Sequence, residues 1–409
     1  VFLLLAGILL GPVAGVIDPD RALGPLLFPL VSLGVAVILF EGSLTLRFAD
    51  IRGVAPAILN LVTVGALLAL LGLAAAAHYV AGLDWPLALL FGAIGCVTGP
   101  TVVVPMLRSV RPNARVASVL RWEGIVIDPV GALLAVLMFE ALALGHGDEG
   151  VQVFAFTVAC GAAIGLAAAL LLAFLLRRHW VPEYLQNYAS LAVLLLAFAA
   201  SNAFAEESGL LAVTVMGMVL ANLRGLHIED ILDFKEHLST LLVSMLFIVL
   251  AARLTWPTPE LWASGLAVLA LAVLVIRPLS VLVGTFGGNL QWRERALIAW
   301  MAPRGIVAAA VSALFALRLE ERGIAGADAL VPLTFLLIIG TVVLYGATAR
   351  PLARALGVAD PDPRGVLVVG SSPVALVIAE ALKAQEFDVL VADEDWWGIR
   401  RARMAGLRT

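Results

Sequence analysis

Apolar stretches of about 20 residues, the length an α-helix needs to cross a bilayer, recur from one end of the chain nearly to the other. Twelve can be placed, at 1–16, 25–46, 54–80, 86–107, 115–144, 151–176, 185–205, 208–223, 236–252, 260–285, 294–317 and 328–349. In hydrocarbon every backbone N–H and C=O must be satisfied within its own segment, so such stretches are helices. The fold class they define is an all-α polytopic membrane protein. Composition agrees, with 62% of the 409 positions hydrophobic and only 14% charged, far from a soluble domain. The net charge of −4 is then no signal for nucleic acid, and the partners expected are the lipid bilayer and small ions. Cys96 and Cys160 both lie inside apolar runs and read as small core residues rather than a disulfide. The opening VFLLLAGILLGP has no Met and no charged leader, and it lacks a small-residue cleavage pattern. The expectation is that a further span precedes Val1.

Where the charges lie sets the orientation. With the first segment starting on the cytoplasmic side, the inner loops hold thirteen Lys and Arg residues and the outer loops only Arg21, Arg253, Arg318 and Arg322. The positive-inside rule then puts the C-terminal end in the cytoplasm and the protein in the inner (plasma) membrane. The outer loops carry acid instead, among them Asp84, Glu206 and Glu207.

Two stretches are interrupted. CVTGPTVVVP places Gly99 and Pro100 in mid-span, and WMAPRGIVAAAV places Pro303, Arg304 and Gly305 at similar depth. Non-helical backbone survives in a membrane only where protein buries it or it lines a water-filled cavity. A Gly/Pro-interrupted helix in each half points to an inverted-repeat transporter with its site near the midplane.

Between the two breaks in sequence lies RWEGIVIDPVGALLAV, Arg121 to Val136, with Glu123 and Asp128 at the head of an apolar run. An ionisable group at membrane depth is costly and marks a functional site by default. Pro129 leaves carbonyls unsatisfied in the preceding turn, and a carboxylate beside loosened backbone can hold either a small cation or a proton. Competition for one such group couples the two ions, and one carboxylate predicts one proton per cation. Glu123 lies five residues from Asp128, about 140° around the helix, and faces another neighbour. Arg277 is the one basic residue inside the tenth stretch, and a buried carboxylate–guanidinium pair reads as structural. Arg304 is placed to neutralise carbonyls or helix-end dipoles where the interrupted helices meet. Glu41 reads equally as a cation ligand or gate and as a helix-end acid facing water. The five histidines fall near loops without metal-ligand spacing, which argues against a zinc-type transporter.

After a polar linker at 358–364, residues 365–409 change character. Val366–Val369, Gly370, Val374–Ala384, Val389–Ala392 and Asp393 read as strand, turn, helix, strand and acid, the beginning of a Rossmann-like α/β domain. Gly370 and Asp393 are the candidates for contact with a nucleotide. Ser372 and Ala375 stand where the second and third glycines of the fingerprint belong.

The helical part resembles the cation:proton antiporter-1 family of prokaryotic sodium/proton antiporters. The likeness covers nearly all of 1–357 and rests on LLLAGILLGP, LFEGSLTL, TGPTVV, RWEGIVIDPV, IRPL and PRGIVAAAVSAL. It implies an inverted-repeat antiporter fold with two crossing broken helices and Asp128 as the residue that binds the cation and carries the proton. It also implies a Glu123–Arg277 pair, elevator-type alternating access, a homodimer and a role in pH homeostasis. The terminal βαβ start is similar to regulator-of-potassium-conductance (TrkA-N-like) domains. Three positions depart from the family pattern: Ile127 replaces an Asn, Gly99 an Asp and Gly124 a Ser. The cation shell would then draw on Asp128, backbone around Thr98 and Gly99, the Thr101 hydroxyl, Glu41 and water. No cofactor is expected for transport. A potassium channel would need a filter such as TVGYG, and a membrane oxidoreductase a complete glycine fingerprint and a redox centre. Neither is present, so the chain is not expected to be an enzyme. The expected activity is Na+/H+ antiport, with K+/H+ antiport gated by the terminal domain as the alternative.

Overall fold

The computed structural model describes residues 2–51, 53–144, 147–205, 208–223, 229–253, 258–321, 323–360 and 365–409. Glu206, Glu207, Arg52, Arg224, Arg322, His146 and His227 lie outside these described residues. The chain divides into two units, Val1–Ala359 and Asp360–Thr409. Of the stretch read as a linker, Val358 is buried and belongs with the helical unit, and 361–364 lie outside the described residues.

Among the described residues six helices are each long and apolar enough to cross a membrane, and one bent pair makes a seventh. Three shorter apolar helices, Pro29–Leu44, Ser208–Asn222 and Leu238–Ala252, fall below that length. The first stretch, expected to span, is an α-helix at Phe2–Ile8 continued by a π-turn at Leu9–Val13 that contains Pro12. Proline has no N–H to donate to the helix ladder, which accounts for the irregular end.

A three-element pattern occurs twice. In the first half it is Ala55–Ala81 with a π-turn at Leu61–Gly65, then Trp85–Gly95 and Pro100–Val110, then the long carboxylate helix Ala114–Leu144. In the second half it is Pro259–Gly284 with a π-turn at Ala272–Ile276, then Trp292–Trp300 and Ile306–Glu321, then Leu330–Ala355. The two π-turn helices run antiparallel, because Gly72 meets Ile276 while Gly284 meets Leu61. An inverted repeat requires that relation.

Small residues bring other helices close where no side chain could fit. Gly161 and Gly165 lie four apart on Gly147–Arg177, and a Cβ on either would overlap Ser208 or Ala212 of Ser208–Asn222. Gly7 and Gly11 meet Ile248, Ala251 and Ala252 in the same way. Such spacing lets helix backbones approach directly, which drives association where lipid and side chains are equally apolar.

The terminal unit holds two parallel strands, Val366–Val369 and Val389–Ala392, paired in register from Val366 with Val389 to Val369 with Ala392. Helix Pro373–Ala384 connects them and helix Trp396–Met404 follows. Its core is small, made of Ala379, Val389, Val391, Ala402 and Leu407. Of the expected beginning of a Rossmann-like, regulator-of-potassium-conductance domain, the described residues show two short parallel strands, the helix between them and one following helix, and no more.

Candidate functional site

The two interrupted pairs cross at their breaks. Trp85–Gly95 and Pro100–Val110 are bent by 43° across Cys96–Gly99, and Gly99 N–H donates to Pro303 O at 3.1 Å. A Cβ on Gly99 would collide with the backbone of Gly305, and one on Gly305 with that of Gly99. Glycine is therefore required at both positions for close approach rather than for an unusual φ. Gly305→Ala is expected to lower the melting temperature in detergent markedly, since an overpacked rigid site costs about 1–3 kcal/mol. An unchanged melting curve would mean that the crossing is loose.

Four half-helices end at this crossing, and arginines cap the two whose carbonyl ends arrive there. Arg304, buried, donates from Nη1 to Cys96 O at 3.0 Å and Val97 O at 3.2 Å, the last carbonyls before the first break. Its own backbone N–H donates to Thr341 Oγ1 at 3.2 Å. Arg277 sits at the end of the second π-turn and is buried. It forms a two-pronged pair with Glu123, Nη1 to Oε1 and Nη2 to Oε2, the latter at 2.9 Å. Nη2 also reaches Ile298 O at 3.1 Å and Met301 O at 3.2 Å, where Trp292–Trp300 ends. A cation at a helix C-terminus satisfies orphan carbonyls and opposes the negative end of the dipole. The fork geometry of Arg suits it to bridge a carboxylate and carbonyls together.

Both buried guanidiniums are thereby engaged by groups other than Asp128. That residue is 0% exposed, and neither of its carboxylate oxygens has a hydrogen-bond partner among the described residues. Gly124, Asp128 and Gly131 are spaced i, i+4, i+7 on the carboxylate helix and so share a face. A Cβ on Gly124 would lie 3.6 Å from Thr98 O and 3.7 Å from Pro100 Cα, and one on Gly131 would lie 3.6 Å from Ala93 O. Asp128, between them, faces the first break. The hydroxyls of Thr98 and Thr101 on that break are also buried without a partner. Buried polar atoms are nearly always hydrogen-bonded; here four oxygens that are not gather at one interruption of the backbone. Carboxylate, hydroxyl and carbonyl oxygens are the donor set of a hard cation.

Of the residues singled out from sequence, the structure brings Asp128, Thr98, Gly99, Thr101 and Gly124 to this one place. Glu123 and Arg277 lie around the carboxylate helix from Asp128. Glu41 is half-buried near the end of Leu27–Leu44 and stands outside the group of buried, unpartnered oxygens. A Cβ on the next residue, Gly42, would lie 3.5 Å from Ile125 Cδ1 of the carboxylate helix. The carbonyl-capping role of Arg277 and the Thr341 hydroxyl escape sequence reading, because both depend on which distant elements meet.

In the terminal unit the nucleotide candidates are engaged internally. Gly370 has φ +95° and its N–H donates to Ala392 O at 2.8 Å. Asp393 accepts from the Ser371 hydroxyl, and from Asp395 N–H at 3.0 Å. The Ser371 hydrogen bond in particular holds its carboxyl below the ordinary carboxylate range. Ser372 caps its own helix, accepting from Ala375 N–H at 3.2 Å, so its side chain takes the place at which a phosphate would approach the helix N-terminus.

An inverted pair of interrupted helices crossing beside a buried carboxylate defines a helical, multi-pass membrane antiporter, a secondary transporter and not an enzyme. The chain belongs to the sodium/hydrogen exchanger family, whose transmembrane region matches residues 1–355. The Na(+)/H(+) antiporter 1 of Methanocaldococcus jannaschii is 27% identical over 402 residues, covering 93% of this chain and 86% of that protein. The K(+)/H(+) antiporter NhaP of Alkalimonas amylolytica is 28% identical over 414 residues, covering 96% and 70%. The solved structure of the sodium proton antiporter MjNhaP1 from Methanocaldococcus jannaschii at pH 8 superposes with a TM-score of 0.75 at 24% identity, covering 87% of this chain and 91% of that one. Cation/proton exchange across a membrane is the shared activity of this family.

Proposed function

We propose that the protein exchanges Na+ for H+ at a single carboxylate, Asp128, one cation for one proton. The observation that carries this is the state of that side chain: fully buried, with both oxygens unpartnered among the described residues, while Thr98 and Thr101 present hydroxyls at the break it faces. A carboxylate stripped of water is too costly to remain bare and charged. It binds a cation whose charge compensates it, or it binds a proton. A site that cannot cross the membrane empty enforces exchange.

Access in this reading alternates. Asp128 has no exposed surface here, which fits an occluded arrangement. A cavity of about 300 Å³, bounded by Thr101, Met106, Phe247, Tyr345 and Arg350, ends near the break and would serve one approach. The interrupted helices and the carboxylate helix, tied together by Arg277 and Arg304, would move as one body against the remaining helices. A homodimer in the inner membrane, with the C-terminal end in the cytoplasm, completes the proposal. A nucleotide acting at the terminal unit would have to displace the Ser371–Asp393 hydrogen bond.

Relatives named for sodium and for potassium are about equally similar to this chain, so the cation is decided by flux. Proteoliposomes carrying an imposed pH gradient and a pH-sensitive dye are expected to dissipate the gradient on addition of sodium. Dissipation with potassium alone would make the protein a K+/H+ antiporter, and no response to either salt would end the antiporter assignment for this chain.

A further inference from the structure

Three parts of the helical unit meet at Asn113, a residue far from the carboxylate. Its Oδ1 accepts from Val116 N–H at 3.0 Å, which makes it the N-cap of the carboxylate helix. Its Nδ2 donates to Glu294 Oε1 at 3.0 Å. Its backbone N–H donates to Val358 O at 2.8 Å, where the chain leaves the last long helix. Glu294 is itself buried, and its other oxygen accepts from Gln291 N–H at 2.8 Å, closing the capping box of Trp292–Trp300. The capping side chains of two helices, 181 residues apart in sequence, are therefore hydrogen-bonded to each other.

Both helices lead to the site. From Asn113 the carboxylate helix runs about 22 Å to Asp128, at 1.5 Å per residue. From Glu294 the other half-helix ends at the Pro303–Gly305 break, where Gly305 meets Gly99. A helix is stiff along its axis, so a bond that joins two helix starts sets how far one can slide past the other.

We propose that Asn113, held by Glu294, is a positioning residue for ion exchange: the cap-to-cap hydrogen bond fixes the axial register of the carboxylate helix against the second interrupted helix. It thereby sets the height of Asp128 relative to the crossing. This rests on the reading of Asp128 as the ion carrier. It assigns Asn113 a role beyond helix capping, and the two roles use different atoms, which makes them separable.

Asn113→Asp keeps the capping oxygen and adds a charge favourable at a helix N-terminus, but it replaces the donor with a carboxylate facing Glu294. Asn113→Ala removes cap and donor together. In the double variant N113D/E294Q the new amide can donate to Asp while its carbonyl still accepts from Gln291, so the bond is restored with donor and acceptor exchanged. The measurement is exchange by the full chain in proteoliposomes, with apparent KM for the transported cation and the pH profile, beside melting temperature in detergent. Asn113→Asp is expected to raise KM about tenfold, within the range by which substitutions that touch no ligand alter the coupling to a distant site, while melting closer to wild type than Asn113→Ala. The double variant is expected to recover KM. A wild-type KM and pH profile in Asn113→Asp, or no recovery in the double variant, overturns the positioning role. A wild type that exchanges neither sodium nor potassium instead overturns the reading of Asp128 beneath it, and the proposal falls with it.

Discussion

Replacing Asp128 with Asn is expected to reduce coupled exchange to the background of empty liposomes while leaving the fold intact. The reason lies in what the side chain does not do. Its oxygens accept no hydrogen bond from the described residues, so the change breaks none of the hydrogen bonds seen here. Asn also has nearly the same volume, so it opens no cavity. What disappears is the negative charge that makes cation and proton interchangeable. A second readout separates loss of binding from loss of movement. A ligand that binds only the folded state raises its stability by about 2.7 kcal/mol at a concentration 100 times its Kd, so sodium or potassium should raise the melting temperature of the wild type. The same salts should leave the Asn variant unmoved, against a control cation too large for the site. Residual exchange above background in the variant would place the carrier elsewhere.

The second large effect concerns Glu123 and Arg277. Truncating either partner of a buried ion pair leaves an uncompensated charge and costs about 3–5 kcal/mol. Glu123→Ala is therefore expected to lower yield and unfold at much lower temperature or denaturant. Arg277→Ala should cost at least as much, because the same guanidinium also serves the carbonyls of Ile298 and Met301. The two losses should not add. Once Arg277 is gone, Glu123 has no partner left to lose, so the double variant should resemble Arg277→Ala far more than the sum of the singles. Unfolding free energies of the four proteins in the same detergent decide the matter. Additive costs would show that the pair, though joined in the structure, is not energetically coupled. A stable but inactive Glu123→Ala would instead move Glu123 from scaffold to transport.

The helical framework was readable because its physics is local. Apolar runs bounded by Pro, Gly and Arg mark helices in a membrane protein, and the interruptions at Gly99–Pro100 and Pro303–Gly305 declare themselves by residues that cannot continue a helix. The Glu123–Arg277 pair was legible for a different reason: helix geometry turned Glu123 away from Asp128, and the family resemblance pointed to the one basic residue of the tenth stretch. Other features depend on which surfaces meet. The lengths of the apolar helices Ser208–Asn222 and Leu27–Leu44 were not legible, because hydropathy reports how apolar a stretch is and not where its helix starts and stops. The π-turns at Leu61–Gly65 and Ala272–Ile276 leave no mark in composition. The Asn113–Glu294 bond was invisible, since each residue alone reads as an ordinary cap. In the terminal unit the strand–turn–helix–strand order was legible, whereas the hydrogen bonds that Ser371, Ser372 and Asp393 make with one another and with neighbouring backbone were not.

The backbone-to-backbone contact of Gly99 with Gly305 has a practical consequence for anyone seeking variants with altered ion preference. A library that diversifies those two positions carries a stability cost in this chain at every replacement, whichever ion is selected for. Useful diversity lies one step outward, at Thr98 and Thr101, where a changed side chain can alter the number and reach of oxygens without prising the chains apart. Screening those two sites together would sample selectivity while leaving the crossing untouched.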